Sequence, residues 1–212
     1  MNPKADSAEE DSYISIAGHC SEIYRVKGSR FIAFAWPVSC EPEIKKHIET
    51  LRKEYFDATH HCYAWSLGKN REKNRSHDDG EPAGTAGKPI YGQILSAGYS
   101  DVLVAVVRYF GGTKLGTSGL TDAYKLAAKH CLENSTPRQA VLENTFDLAF
   151  PYERMNEVMR LIKDMALPVV NPDFSTECRL TTKIRLGKQS AFREAANKID
   201  RLQVVDERTS AE

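Results

Sequence analysis

Between Val102 and Leu120 the chain reads VLVAVVRYFGGTKLGTSGL. Six consecutive apolar residues, Val102–Val107, offer no polar face to water, so a strand made of them must be buried on both sides. The run stops at Arg108, passes through Gly111 and Gly112, and restarts as a helix near Thr117. Glycines there permit backbone angles or close approaches that residues with side chains resist. A strand, a glycine loop and a helix in this order build a ligand surface at the carboxyl end of a sheet, and Arg108 and Lys114 bring positive charge to it. The expected ligand is an anion or a phosphate group.

At 212 residues the chain can hold one large domain or two small ones, each with its own core. Its formal net charge of +0 sets up no global field toward nucleic acid or membrane, so any polyanion site must be local. No apolar stretch approaches the ~20 residues that span a bilayer. The first residues, MNPKADSAEED, are polar and acidic, unlike a signal peptide. Five scattered cysteines without a CxxC pair favour reduced thiols and a cytoplasmic setting.

The fold class read from the pattern is α+β. Residues 1–12 read as a disordered tail, 13–135 as a first domain and 136–212 as a second, with a boundary at Asn134-Ser135-Thr136-Pro137. In the first, strands are expected around Tyr13–Ala17, Glu22–Val26 and Arg30–Trp36, with a turn at Gly28-Ser29. A helix over Glu41–Phe56 has Pro42 in its first turn and Ile44, Ile48, Leu51 and Tyr55 along one stripe. A strand at His61–Leu67 leads into the charged segment GKNREKNRSHDDGEPAGTAG, read as a loop. A helix over Pro89–Ala97, the strand at 102–107 and a helix to about Glu133 complete this part.

Beyond Pro137 the order becomes strand (139–150), helix (152–165), strand (168–175), strand (177–186), helix (188–200) and strand (202–206), a ferredoxin-like βαββαβ pattern. Alternation along 177–186 sends Cys178, Leu180, Thr182 and Ile184 one way and Arg179, Lys183 and Arg185 the other. Thr176–Arg201 holds seven basic and three acidic residues, which makes this face a candidate polyanion contact; charged residues on an exposed sheet face also serve solubility alone.

Three constellations carry possible chemistry. The Gly111–Gly119 loop offers backbone N–H groups and a helix N-terminus beside Arg108 and Lys114, a combination suited to phosphate. The alternative is a tight strand-to-helix turn whose glycines serve packing. In the segment 77–89, HDDGEPAGTAGKP, the Gly87-Lys88 pair fails as a P-loop because Pro82 and Pro89 occupy its required positions. Asp78, Asp79 and Glu81 could hold a hard cation or act in acid–base chemistry, or form a solvated acidic turn with Asp79 capping nearby N–H groups. In His60-His61-Cys62, neighbouring residues on a strand face opposite ways and no second ligand pair follows, so the segment favours a buried, inert thiol over zinc.

Jointly, HHCYAW (60–65), DDGEPAGTAGKP (78–89) and VVRYFGGTKLGTSGL (106–120) resemble the Impact family, in its small two-domain bacterial form. The resemblance implies a first domain folded like domain 2 of ribosomal protein S5, and a second resembling the last domain of elongation factor G. It maps family positions onto His61, Asp79, Gly80, Glu81, Pro82, Gly84, Thr85, Gly87, Lys88, Pro89, Arg108, Gly111, Gly112, Gly116 and Gly119. From it we expect the DDGEP and RYFGG loops to meet at one surface.

The resulting expectation is a cytoplasmic, non-enzymatic regulator associated with translation. Its partner is RNA, the ribosome or a translation-related protein, with no membrane, cofactor or metal. Lys88, Arg108 and Lys114, with the amides of Gly111, Gly112, Gly116 and Gly119, are the expected phosphate contacts; Arg179, Lys183 and Arg185 extend them. The rival class is a metal-assisted enzyme acting on a nucleotide or phosphorylated small molecule, with Asp79 and Glu81 opposite Arg108.

Overall fold

The computed structural model describes residues 11–175 and 177–206. The chain divides into two compact units, Tyr13–Ala140 and the residues from Val141 onward, with Asp11 and Ser12 grouped with the second. Residues 1–10 of the expected tail lie outside the described residues; Ser12 already opens a strand.

The first unit is built from β1 (Ser12–Ile16), β2 (Cys20–Val26), β3 (Ser29–Pro37), α1 (Glu41–Glu54), β4 (His60–Leu67), β5 (Lys73–His77), α2 (Gly87–Ala97), β6 (Val102–Tyr109), α3 (Gly116–Glu133) and β7 (Pro137–Val141). Its main sheet is antiparallel, in the order β2-β3-β6-β4-β5. The apolar run lies on the central strand, β6. Val102, Val104 and Val106 meet Ile90 and Ile94 of α2 and Ala123 and Tyr124 of α3. Leu103, Ala105 and Val107 meet Ile44, Ile48 and Leu51 of α1 on the opposite face. Both faces of the strand are covered by helix, which is why it has no polar period. Helix α1 carries Glu41 and Glu43 in its first turn and Arg52 and Lys53 in its last, matching its macrodipole.

Two strand assignments differ from the sequence reading. The charged segment expected as a loop contains β5, whose residues Lys73–His77 pair with Leu67–Tyr63 of β4 at the sheet edge. Most of β5 is exposed, so KNRSH shows no apolar alternation, and its charges suit an edge that must not recruit a second chain. The expected single strand over 139–150 is two, because the chain changes partners at Leu142. On one side β7 pairs with β1, and on the other β8 (Glu143–Pro151) joins a different sheet. Strand β7 therefore extends the first unit past the Ser135 boundary read from sequence.

The second unit continues with α4 (Met155–Asp164), β9 (Val170–Phe174), β10 (Glu177–Arg185), α5 (Gln189–Ala196) and β11 (Gln203–Asp206). The strands form an antiparallel sheet in the order β11-β8-β10-β9. Phe146, Leu148, Phe150, Leu180 and Ile184 pack with Val158, Leu161 and Ile162 of α4 and Phe192 of α5. Helix α5 is shorter than the expected 188–200, because tight turns from Ala196 to Ile199 replace the last helical turn. All five cysteines are free thiols, and the Cys20 and Cys131 sulfurs touch at 3.3 Å.

Candidate functional site

Strand register brings four loops to one end of the main sheet. Arg30 pairs with Tyr109, His60 with Arg108, and Tyr63 with His77. The β2–β3 hairpin, the start of β4, the β5–α2 loop and the β6–α3 loop therefore share the carboxyl end of β6, where α2 and α3 both begin.

The alternation of β6 carries Arg108 onto the face of Val106, toward α3. Its Nη1 donates to Glu81 Oε1 at 2.5 Å. The Tyr124 hydroxyl donates to the same oxygen at 2.8 Å, and the Cys62 thiol lies 3.3 Å from that hydroxyl. His60 Nε2 stands 3.8 Å from Glu81 Oε1. The DDGEP and RYFGG segments thus meet, as expected, but through the interior: Arg108 is 5% exposed and Glu81 8%. This corrects the phosphate role expected of Arg108. Its charge is neutralised by Glu81 under a closed surface, and a phosphate would have to displace a buried carboxylate to reach it. Burial pushes the Cys62 thiol and the Tyr124 phenol well above their ordinary ranges, so both remain protonated hydrogen-bond donors.

The three acids of the β5–α2 loop go to three different partners. Asp78 accepts from the backbone N–H groups of Gly84 (2.8 Å), Ala86 (3.1 Å) and Gly87 (2.8 Å), so its carboxylate already fills the N-terminus of α2. Asp79 accepts from Arg52 Nη2 at 2.6 Å and from the His61 backbone N–H at 2.7 Å. Glu81 belongs to the buried pair. Among the described residues no group of three His, Cys, Asp or Glu side chains is placed to hold a metal ion. The cation reading of Asp78, Asp79 and Glu81 is corrected accordingly: each carboxylate is turned to its own donor, and they do not converge. The capping carboxylate is Asp78, not the Asp79 named from sequence. His61 faces α1, its Nε2 3.1 Å from the Tyr55 carbonyl oxygen, and burial holds its imidazole below the ordinary histidine range despite Asp79.

Burial acts to raise the Asp78 carboxyl, but the three N–H groups outweigh it and hold the carboxyl below the usual carboxylate range. A lowered folded-state value means that its stabilisation is complete above about pH 4 and is lost as pH falls through the folded value. Asp78→Ala should lower stability at neutral pH by about 1–2 kcal/mol, as for loss of a strong helix cap. The deficit relative to the parent should shrink in urea titrations carried out below about pH 4.

The β6–α3 loop is mostly exposed, with Phe110 48% accessible. Gly111 packs directly on the β2–β3 hairpin: an added Cβ would stand 1.9 Å from the Gly28 carbonyl carbon and 2.2 Å from the Ser29 nitrogen. Gly112 and Gly116 face open space with φ of 84° and 71°. Lys114 is exposed, and the N-cap residue of α3, Leu115, makes no side-chain capping hydrogen bond, while Gly116, Thr117 and Ser118 of its first turn are exposed. Gly119 lies within the first turn of that helix. Lys88 is exposed beside Gly84 at the start of α2; Thr85 is buried and donates to the Pro82 carbonyl oxygen at 2.7 Å. Gly87 is tight against the His77 backbone, and Gly80 supplies the φ of 87° that follows Asp79.

Arg179, Lys183 and Arg185 are exposed on β10, in the second unit. Arg179 is paired with Glu177 at 2.8 Å, and Thr181, between Arg179 and Lys183, donates to Asp147 at 2.6 Å, so this face is of mixed sign. Sequence reasoning missed Tyr124 and the role of Asp78. Tyr124 gave a faint signal as the polar-tipped member of the apolar stripe Leu120, Ala123, Tyr124, Ala127. Asp78 gave none that separated it from Asp79.

Residues 27–132, which hold β3, β4, β5 and β6 of this sheet with α1, α2 and nearly all of α3, match the Impact N-terminal domain. The chain belongs to the Impact family. The IMPACT family member YigZ of Escherichia coli is 30% identical over 184 residues, covering 86% of this chain and 90% of that one. YvyE of Bacillus subtilis, another IMPACT family member, is 29% identical over 80% of this chain and 78% of its own. A solved structure described as that of a hypothetical protein is 30% identical and aligns with a TM-score of 0.73 over 92% of this chain and 97% of that one. The match to the Impact N-terminal domain contains every residue of the buried Arg108–Glu81 cluster, so this cluster lies in the family domain itself.

Proposed function

We infer that this Impact family member is a cytoplasmic, translation-associated regulator that binds RNA phosphates at the loop end of its first unit. The observation that carries the reading is the contrast between the two helix N-termini there. That of α2 is filled by Asp78, whereas at that of α3 the N-cap residue Leu115 supplies no side-chain cap and the exposed Lys114 precedes it. An anion near uncapped N–H groups and a lysine is favoured by both hydrogen bonding and the helix dipole. Lys88 adds a second cation at the same end. With Asp78, Asp79 and Glu81 engaged by their own donors, their charges are partly offset locally.

The family resemblance supports the translation setting, through a first unit like domain 2 of ribosomal protein S5. The strand order β11-β8-β10-β9, with both helices on one face, supports the ferredoxin-like comparison with the last domain of elongation factor G. Arg179, Lys183 and Arg185 are the phosphate contacts of the second unit in this reading. Among the described residues no helix is long and apolar enough to cross a membrane.

The test is a salt-titrated binding assay with purified ribosomes and an unstructured RNA, comparing the parent with a Lys88→Ala/Lys114→Ala variant. Both side chains are exposed, so the variant should fold. Its affinity should fall for all sequences alike, and the slope of log K against log salt should shrink by about 0.7 per lost contact with single-stranded RNA. Unchanged affinity and slope would place RNA elsewhere. Binding to neither probe would favour a protein partner.

A further inference from the structure

The β2–β3 hairpin carries a second feature of the same loop end. Arg25 and Arg30 sit directly opposite each other across the two strands. Like charges in that arrangement destabilise a sheet. Between them the turn residues Lys27 and Gly28 both have left-handed φ, 46° and 79°. A two-residue turn of this kind takes asparagine, aspartate or glycine at its first position by preference, and lysine there is strained. The hairpin thus holds three positive charges where both cross-strand pairing and turn chemistry disfavour them.

These charges also share a concavity. A pocket of about 490 Å³ is lined by Arg25, Lys27, Gly28, Arg30 and Tyr109, and its lining contains no carboxylate. The Arg30 guanidinium carbon lies 4.3 Å from the centre of the Tyr109 ring. That ring is itself held in place by its hydroxyl, which donates to Asp57 at 2.7 Å. Arg30 Nε is buried with no hydrogen-bond partner among the described residues. A hairpin charged only for solubility has no reason to concentrate one sign around a hollow.

We propose that Arg25, Lys27 and Arg30 form an oxyanion pocket that takes a phosphate group. The guanidinium of Arg30, stacked on Tyr109, presents a planar fork suited to two phosphate oxygens, and Arg25 and Lys27 supply further charge from the rim. An occupying anion relieves the repulsion between Arg25 and Arg30. The phosphate comes either from a phosphodiester of RNA or from a small phosphorylated molecule. Only the RNA source rests on the function inferred above.

The test uses the full chain and an Arg25→Gln/Lys27→Asn variant. Both positions are exposed, and Lys27→Asn suits the turn better, so in sodium chloride the variant should unfold at a temperature equal to or above the parent's. Thermal unfolding is then followed in sodium phosphate against sodium chloride at matched pH and ionic strength. The parent should gain about 3–6 °C once phosphate exceeds its Kd tenfold, and the variant should lose that gain. No phosphate-specific gain in the parent, or the same gain in the variant, overturns the pocket.

RNA titrations of the same pair identify the source. A salt slope reduced by about 0.7 for each contact removed assigns the pocket to a phosphodiester. An unchanged slope alongside a lost phosphate gain assigns it to a small phosphate. The RNA reading is judged separately by the Lys88→Ala/Lys114→Ala variant. A parent that gains from phosphate but never binds RNA ends that reading and leaves the pocket standing.

Discussion

Arg108→Ala is expected to lower stability by about 3–5 kcal/mol, the loss typical of breaking a buried ion pair from one side. The substitution leaves Glu81, 8% exposed, with a charge whose remaining protein donor is the Tyr124 hydroxyl at 2.8 Å. It also removes a guanidinium that packs 5.5 Å from the Phe31 ring. Replacing both members by apolar residues, Arg108→Met with Glu81→Leu, should recover the larger part of the loss, because the desolvated charge disappears with its partner. Urea unfolding followed by circular dichroism measures both. A single variant that loses under about 1 kcal/mol would mean that the pair behaves like a solvated surface bridge. The result also bears on function: reduced RNA binding by Arg108→Ala would report unfolding, not a phosphate contact.

Gly111→Ala is expected to cost about 3 kcal/mol, the upper part of the range for overpacking. The new methyl group would stand 1.9 Å and 2.2 Å from backbone atoms of Gly28 and Ser29, which cannot rotate away as a side chain would. Either the hairpin or the β6–α3 loop must move. Gly112→Ala meets no atom within 4 Å and carries only the strain of its φ of 84°, about 1–2 kcal/mol. Thermal unfolding should therefore rank Gly111→Ala below Gly112→Ala. The reverse order would show that conformation, not contact, governs this loop. Adjacent glycines that look alike in sequence thus have different reasons to be there.

Part of the site was legible from residue pattern alone. The unbroken run Val102–Val107 required cover on both faces, and α1 lies on one while α2 and α3 lie on the other. The three motif blocks pointed to the Impact family, and residues 27–132 match its N-terminal domain. That the two loops meet was expected from the family resemblance, and not from strand direction, because β5, which leads into the DDGEP loop, was read as part of a loop. The depth at which they meet was not. Arg108 follows an apolar run and precedes a glycine loop, a position equally suited to a surface cation and to a buried ion pair.

The exposed edge strand β5 shows the opposite limit. Its residues Lys73–His77 are held by backbone hydrogen bonds to β4, and backbone bonding leaves no mark on side-chain periodicity. The same holds for Leu142, where one apparent strand passes between two sheets. Sequence by itself determined the apolar periods, the order of most elements and the family, because those depend on which side chains must leave water. Tertiary structure alone decided which charges were neutralised and which stayed open. Asp78 reached the N-terminus of α2, Glu81 took Arg108, and Arg25 came to lie opposite Arg30 through register between strands. Electrostatic partnership depends on distances of a few ångströms across the fold, and residue order does not encode those distances locally.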